Sequence, residues 1–146
     1  MANIHVSIST IVKRPISETF ETMTNPDMLS QWFTLIDSIR DYSGESIFVG
    51  LKYKTVGHFV GREIISDCEV LQYDVPNLLV FQSESKALLA THTWRYQALD
   101  SGTKVSINLE GKTKGFFGSL AMPLLGGQLE KDMARDLERF KQLMEK

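Results

Sequence analysis

The sequence lacks several features that would indicate a function directly. Of its 146 residues only one is a cysteine, Cys68, which excludes an internal disulfide and any metal site built from several cysteines. Basic and acidic residues nearly balance, at 16 and 18, so charge does not favour nucleic acid or an anionic membrane as a partner. No apolar run is long enough to span a bilayer, and no signal-peptide pattern opens the chain. We therefore expect a cytoplasmic protein.

Recognisable catalytic and metal-binding motifs are also missing. His5, His58 and His92 do not have the helical spacing of paired metal ligands. Cys68 alternates with apolar Val70, a pattern that favours a buried, unreactive thiol over a nucleophile. The sequence therefore predicts no metal ion and no cofactor, and it leaves open whether the protein is an enzyme.

The amino-acid composition is that of a globular protein. Hydrophobic residues make up 42% of the chain and charged residues 23%. A chain of this length can bury a substantial core. No linker, repeat or low-complexity segment divides it, so we expect one domain over residues 1–146.

The N-terminal part predicts a strand followed by two short helices. Apolar and polar residues alternate over residues 4–9, which indicates a half-buried strand. The alternation slips at residues 10–12, which predicts a bulge or a strand end. Pro15 then opens a helix, and Asn25-Pro26 ends it because the residue before a proline avoids the helical region. Residues 27–33 form a second short helix in this interpretation.

The middle of the chain predicts strands only. Two turn signals, Val75-Pro76-Asn77 and Asp100-Ser101-Gly102, separate segments of alternating polarity. Consecutive strands joined by short turns are typical of an antiparallel meander. The predicted strands cover residues 35–43, 51–59, 62–76, 78–85, 91–98 and 103–111.

The C-terminal part predicts an amphipathic helix. Between residues 128 and 146, apolar residues recur at intervals of three and four. Such a stripe needs a large apolar surface, and the concave face of the sheet can supply it. Upstream, Pro123 and Gly126-Gly127 are expected to bend or break the helical pattern. The apolar stripe consists of Leu129, Met133, Leu137, Phe140 and Met144.

In this order of elements the chain resembles the START-like, or SRPBCC, helix-grip superfamily. It is most similar to the branch of polyketide cyclases/dehydrases and lipid-transport proteins. The residues that carry the resemblance are KRPISETFETMTNPDMLSQW, VLQYDVPNLLVF, DSGTKVSINLEG and the segment from Gly115 to the C-terminus. Arg14 is a departure, because an alanine usually precedes the proline. The resemblance implies an α+β fold, with a curved seven-stranded antiparallel sheet around the C-terminal helix and an apolar cavity between them.

The strand THTWRYQA provides the first site candidates. His92, Trp94 and Tyr96 occupy every second position, so they share one face of the sheet. Their apolar bodies can wall a cavity while their polar tips bind a ligand, or the rings can simply fill the core. Tyr53 is a second polar tip on the same side. The predicted ligand-binding residues are Tyr53, Phe81, His92, Trp94, Tyr96, Ile107, Met133 and Leu137.

One charged residue interrupts the apolar stripe of the last helix. Asp136 falls between apolar positions on a helical wheel, where an unpaired carboxylate would be costly to bury. It either pairs with Arg139 or an arginine of the sheet at the margin, or serves as a polar anchor or general base in the cavity. With His92 and Tyr53, it is a candidate for an acid/base group.

Three functions remain open from the sequence. The first is binding of a small, mainly hydrophobic ligand of the lipid, polyketide or aromatic type. The second is a cyclase or dehydratase activity on a polyketide-like substrate, which would require a pocket group with a strongly shifted pKa. The third is a protein-interaction module with a filled cavity and an exposed apolar patch. The resemblance alone does not choose among them, because one fold supports many functions.

Overall fold

The described part of the chain folds into a curved sheet of seven strands and three helices. The structure, a computed structural model, describes residues 3–34, 36–40, 46–59 and 61–146, without the side chains of residues 59 and 115–125. The elements are β1 (Asn3–Val12), α1 (Ile16–Thr24), α2 (Pro26–Trp32), β2 (Ser38–Arg40), β3 (Lys52–Phe59), β4 (Arg62–Asp74), β5 (Leu78–Glu84), β6 (Leu88–Leu99), β7 (Gly102–Thr113) and α3 (Gly115–Met144).

The sheet is an antiparallel meander with one long-range pairing. Its strand order is β1-β7-β6-β5-β4-β3-β2, so β2 to β7 follow one another while β1 pairs with β7. The predicted α+β fold and antiparallel meander are confirmed. Of the strand predicted over residues 35–43, Ser38–Arg40 form β2 beside β3. Residues 35 and 41–43 lie outside the described part.

The junction between α1 and α2 follows the proline signal. α1 ends at Thr24, and α2 begins at Pro26. The side chain of Asn25 accepts a hydrogen bond of 3.0 Å from the backbone N–H of Asp27. An asparagine cap followed by proline satisfies one of the unpaired donors at a helix start and sets the geometry of its first turn. The predicted division into two short helices is therefore confirmed.

β1 is regular up to Val12, where it ends, so of the two alternatives predicted at residues 10–12 the strand end is confirmed and the bulge is wrong. Thr10 lies opposite Val105 without any shift of register, and Ile11 points away from the core and is exposed. Because Thr10 lies on the inner face and Ile11 on the outer face, the alternation of polar and apolar residues is interrupted there although the strand is regular. The sheet has its irregularity in β4 instead, where the register shifts between Val70 and Gln72.

α3 is one helix from Gly115 to Met144, so the break predicted near Pro123 or Gly126-Gly127 is wrong. A proline inside a helix removes one backbone hydrogen bond and often kinks the helix, but the helix can continue beyond it. The apolar stripe predicted for its C-terminal part is buried throughout and packs mainly against β1. Phe140 is completely buried, and its ring lies 5.1 Å from that of Trp32 at the end of α2.

The C-terminal end of α3 is fastened to the segment between β1 and α1. Arg14 donates from Nε to the carbonyl oxygen of Met144 at 2.8 Å and from Nη2 to that of Lys146 at 3.3 Å. The backbone N–H of Lys13 donates to the Glu145 carboxylate at 2.9 Å. The last carbonyls of a helix lack intrahelical partners, and a cation there also interacts favourably with the helix dipole. Arg14, which stands where an alanine usually precedes the proline, thus caps the C-terminal end of α3.

The packing of α3 leads to a stability prediction. Replacing Phe140 or Leu137 by alanine should lower the free energy of unfolding by about 2–5 kcal/mol, because each change leaves a cavity under the helix. Denaturant unfolding of the purified variants measures this. Gln142 lies exposed on the same helix, so Gln142→Ala should change stability by less than about 0.5 kcal/mol. A loss below about 1 kcal/mol for both core variants would mean that α3 does not cover the sheet.

Candidate functional site

Two adjoining cavities lie between the concave face of the sheet and the helices. Cavity A has a volume of about 40 Å³ and lies between α2 and strands β2 to β6. Its walls include Leu29, Tyr53 and Trp94. Cavity B has a volume of about 100 Å³ and lies beside it, toward β7 and Leu129 of α3. Ile36 and Phe81 line both cavities and therefore stand between them.

The two cavities differ in the polarity of their walls. Cavity A is lined by apolar side chains except at Thr24 and Tyr53. Cavity B carries a group of polar side chains on one side, which we name the polar wall. The polar wall consists of Thr55, Ser66, Cys68, Ser83, Ser85 and His92. A mainly apolar pocket with a few convergent polar groups is the usual form of a small-molecule site.

The register of the sheet assembles the polar wall. In antiparallel pairs, residues directly opposite one another lie on the same face. Ser83 of β5 is opposite Cys68 of β4, and Cys68 is opposite Tyr53 of β3. His92 of β6 is opposite Phe81, one inward position from Ser83. Four neighbouring strands thus contribute polar groups to one area of the concave face.

His92 is fixed in the polar wall from two sides. Its ring stacks on that of Phe81 with 4.4 Å between centroids and 6° between planes. Its Nε2 lies 2.9 Å from the hydroxyl oxygen of Ser83, whereas its Nδ1 has no hydrogen-bond partner among the described residues. The residue is only 7% exposed, and burial lowers its pKa to about 4. At pH 7 the imidazole is therefore neutral, with one N–H donor and one acceptor nitrogen.

Tyr53 and Cys68 are held in their protonated forms. Burial raises the pKa of Tyr53 well above its usual range, and the neighbouring Cys68 adds to the shift. Burial also raises the pKa of the Cys68 thiol to about 11, and its sulfur lies 3.8 Å from the Thr55 hydroxyl. Because the thiolate is the reactive form of cysteine, Cys68 is a poor nucleophile in this environment. The buried thiol agrees with the prediction from the sequence.

The aromatic face of β6 is divided between cavity and core. Trp94 lines cavity A, and the centroid of its ring lies 5.1 Å from that of Phe81. Tyr96 lines neither cavity, and its ring packs edge-on against Phe20 of α1 at 4.9 Å. Burial raises the pKa of Tyr96 well above its ordinary value, so its hydroxyl stays protonated.

Other predicted ligand-binding residues belong to the core formed by α3 and the sheet. Ile107, Met133 and Leu137 are buried and line neither cavity A nor cavity B. Phe81, in contrast, lines both. The structure therefore brings four of the predicted residues to the cavities, namely Tyr53, Phe81, His92 and Trp94. The contact of any of them with a ligand remains a prediction.

Asp136 is buried but lies away from both cavities. Its carboxylate accepts hydrogen bonds from the backbone N–H and hydroxyl of Thr34, at 3.0 and 2.9 Å, and pairs with Arg139 at 3.2 Å. Burial raises the pKa of Asp136, while the hydrogen bonds from Thr34 and the charge of Arg139 oppose this shift. The predicted pairing with Arg139 is confirmed. These contacts fasten α3 to the end of α2.

Sequence reasoning missed most of the polar wall. Leu79, Phe81 and Ser83 alternate along β5, so the inward position of Ser83 was available from the pattern. Its proximity to His92 depends on the pairing of β5 with β6, which the pattern does not give. Thr55 and Ser66 likewise become cavity residues only through the pairing of β3 with β4.

The described residues offer no assembled metal site. Within the described ranges, no three histidine, cysteine, aspartate or glutamate side chains come together as ligands. No helix in this part of the chain is long and apolar enough to cross a membrane. The polar groups that line the cavities can form hydrogen bonds, and His92, which can both donate and accept, is the most versatile of them.

The sequence and the fold match known proteins. A family model described as "Polyketide cyclase / dehydrase and lipid transport" matches residues 3–145. The chain belongs to this family. Membership confirms the resemblance seen in the sequence, and with the fold it supports a ligand-binding or cyclase-type role without naming the ligand. No curated protein matches the sequence.

Solved structures from several bacteria share the helix-grip fold. The Zhui aromatase/cyclase from Streptomyces sp. R1128 is 14% identical, with a TM-score of 0.82 over 99% of this chain and 94% of that one. CV1439 from Chromobacterium violaceum is 15% identical, with a TM-score of 0.77 over 97% of each chain. TTHA0849 from Thermus thermophilus is 16% identical, with a TM-score of 0.77 over 94% of each chain. At these identities the likeness shows the fold alone.

The buried histidine leads to a prediction about acid stability. The pKa of His92 is lowered from 6.5 to about 4 by folding, so between these pH values the unfolded chain binds a proton that the native protein does not. The free energy of unfolding should therefore fall by about 3 kcal/mol as the pH drops from about 6.5 to about 4. Urea unfolding across this range measures the loss.

His92→Gln is the control for this pH dependence, because glutamine keeps a polar group and does not titrate. Its unfolding free energy should depend less steeply on pH over this window, because the variant lacks the one proton that His92 takes up on unfolding. All other groups, including Asp136 with its raised pKa, are common to both proteins and cancel in the comparison. Parallel curves for the two proteins would show that His92 titrates normally in the native state.

Proposed function

We propose that the protein is a cytoplasmic binding protein for a small, mainly hydrophobic molecule held in cavities A and B. The supporting observation is the pair of adjoining cavities, one almost wholly apolar and the other with a polar wall. Burial of apolar ligand surface supplies most of the affinity, at about 25 cal/mol per Å². The few polar groups then orient the ligand.

The cavity volumes limit the ligand to about the size of one substituted ring. Volumes of about 40 and 100 Å³ are well below the roughly 300–1,000 Å³ of drug-sized pockets. An apolar cavity of about 150 Å³ in a protein core is known to bind benzene. Cavities A and B together approach this volume, so a single substituted ring fits once Ile36 or Phe81 moves aside and joins them, whereas a lipid or polyketide needs a larger opening. The aromatic ligand type is therefore favoured over the other two.

The contact between Ser83 and His92 favours an enzyme as the second candidate. A neutral imidazole beside a hydroxyl, in a mainly apolar cavity, can accept or donate a proton in a cyclisation or dehydration. The lowered pKa of His92 makes it a weak base at pH 7, which favours a binding role over general-base catalysis. If the protein is an enzyme, His92→Gln should abolish turnover. If it is a carrier, the variant should keep most of its affinity for a purely apolar ligand.

A ligand screen tests the binding proposal. Single-ring aromatics, flavonoids, fatty acids and anilinonaphthalene sulfonate are titrated against the native protein, with thermal unfolding as a second measurement. We expect dissociation constants near the micromolar range for ligands that fit, and a rise in melting temperature, because a ligand that binds only the native state stabilises it.

A pair of matched variants tests whether the ligand binds in cavity A. Val70→Phe adds a ring to the wall of cavity A, whereas Val75→Phe makes the same change in an exposed turn. The first should weaken binding of ligands that enter cavity A, and the second should not. The absence of any binder across the panel, with a structure whose interior is filled, would support the interaction-module alternative instead.

A further inference from the structure

Cavities A and B have polar lining residues but no charged ones among the side chains that the structure describes. Their walls contain hydroxyls, a thiol and an imidazole, and no lysine, arginine, aspartate or glutamate. An ionised ligand group taken out of water without a counter-charge costs far more free energy than a neutral group that forms a hydrogen bond. The lining is therefore suited to a neutral ligand.

A lysine beside cavity B is already engaged. Lys114 pairs with the Glu84 carboxylate at 2.9 Å and donates a hydrogen bond of 3.1 Å to the carbonyl oxygen of Ser85. Ser85 lines cavity B, so this lysine is close to the polar wall. Because its charge is balanced by Glu84, Lys114 does not provide a free cation for a ligand carboxylate.

Two residues that line the cavities each have a buried ring nitrogen without a partner among the described residues. These nitrogens are Nδ1 of His92, which lines cavity B, and Nε1 of Trp94, which lines cavity A. The indole nitrogen can only donate a hydrogen bond. If the Ser83 hydroxyl donates to Nε2 of His92, then the proton of the neutral imidazole is on Nδ1, which is also a donor. Both nitrogens are then hydrogen-bond donors without an acceptor.

From these contacts we infer that cavity B takes a neutral ring compound bearing a carbonyl-type oxygen, such as a ketone, ester or amide, which accepts a hydrogen bond from Nδ1 of His92. This inference rests on the proposed function and narrows its ligand class. The geometry is preorganised, because the stacking on Phe81 and the contact with Ser83 fix the imidazole before a ligand arrives. The same lining rejects carboxylates of the same size.

The test uses three ligands that share a benzene ring: acetophenone, ethylbenzene and benzoate. Dissociation constants are measured by calorimetry or ligand-observed NMR at pH 7 for the wild type and for His92→Gln and His92→Asn. The ligands differ in their free energy of transfer from water, but that difference is the same for every protein variant. The informative quantity is therefore how the affinity ratio of acetophenone to ethylbenzene changes from one protein to the next.

The two variants separate the two ring nitrogens. Glutamine places its amide near the position of Nε2 and keeps the contact with Ser83, whereas asparagine places its amide near the position of Nδ1. His92→Gln should weaken the binding of acetophenone by about five- to tenfold and change the affinity for ethylbenzene by less than about twofold. His92→Asn should retain more of the acetophenone affinity than His92→Gln. Equal effects of each variant on both ligands would overturn the inference.

The wild type alone provides an independent comparison. Benzoate should bind at least about tenfold more weakly than acetophenone, because no cation meets its charge. Benzoate binding equal to acetophenone binding would overturn the inference while leaving the proposed function in place. Failure of acetophenone and ethylbenzene alike to bind would overturn the inference, and failure of every ligand in the screen described above would overturn the proposed function as well. The benzoate comparison needs no substitution, so it stands even if a His92 variant fails to fold.

Discussion

The structure depends on how one helix covers a curved sheet. α3 packs chiefly against β1, which pairs with the last strand, β7. This arrangement buries the apolar stripe of the helix and closes one side of the sheet. Strands β3 to β6 continue beyond it, and their concave face meets α1, α2 and the segment that follows. The cavities occur on that side, where short elements rather than a long helix complete the packing.

The same constraint explains why neighbouring aromatic residues have different environments. Trp94 and Tyr96 are two residues apart on one strand and face the same way. Tyr96 meets Phe20 of α1 and is packed in the core, while Trp94 lies at the boundary of cavity A. The alternation in the sequence predicts the face that both share. It cannot distinguish them, because the difference arises from which helix lies above each position.

The order of elements and the main core stripe could be predicted from local periodicity and turn residues, and the resemblance to the helix-grip superfamily supplied the fold class. The errors of prediction came from local ambiguity. The reversed polarity of Thr10 and Ile11 suggested a bulge in β1, and Pro123 suggested a break in α3, but both elements are continuous there. For the site, individual inward residues such as His92 and Tyr53 were predictable. The grouping of His92 with Ser83 depends on strand register, which periodicity alone does not determine.

A buried site without charges has a physical consequence for function. Under the proposed function, selectivity comes from shape and from a few hydrogen bonds, because none of the described side chains that line the cavities is charged. Buried polar atoms without protein partners are uncommon in native structures, since each costs about 1–3 kcal/mol. Those of His92 and Trp94 lie in residues that line the cavities, which is where a ligand can satisfy them. Sites that bind ligands commonly retain such a local cost in stability.

The most direct test is a crystal structure of the protein soaked with acetophenone. The account predicts electron density for the ring in cavity B beside Phe81, with the ketone oxygen about 3 Å from Nδ1 of His92. Density confined to the protein surface, or a cavity B filled by protein atoms, would contradict it.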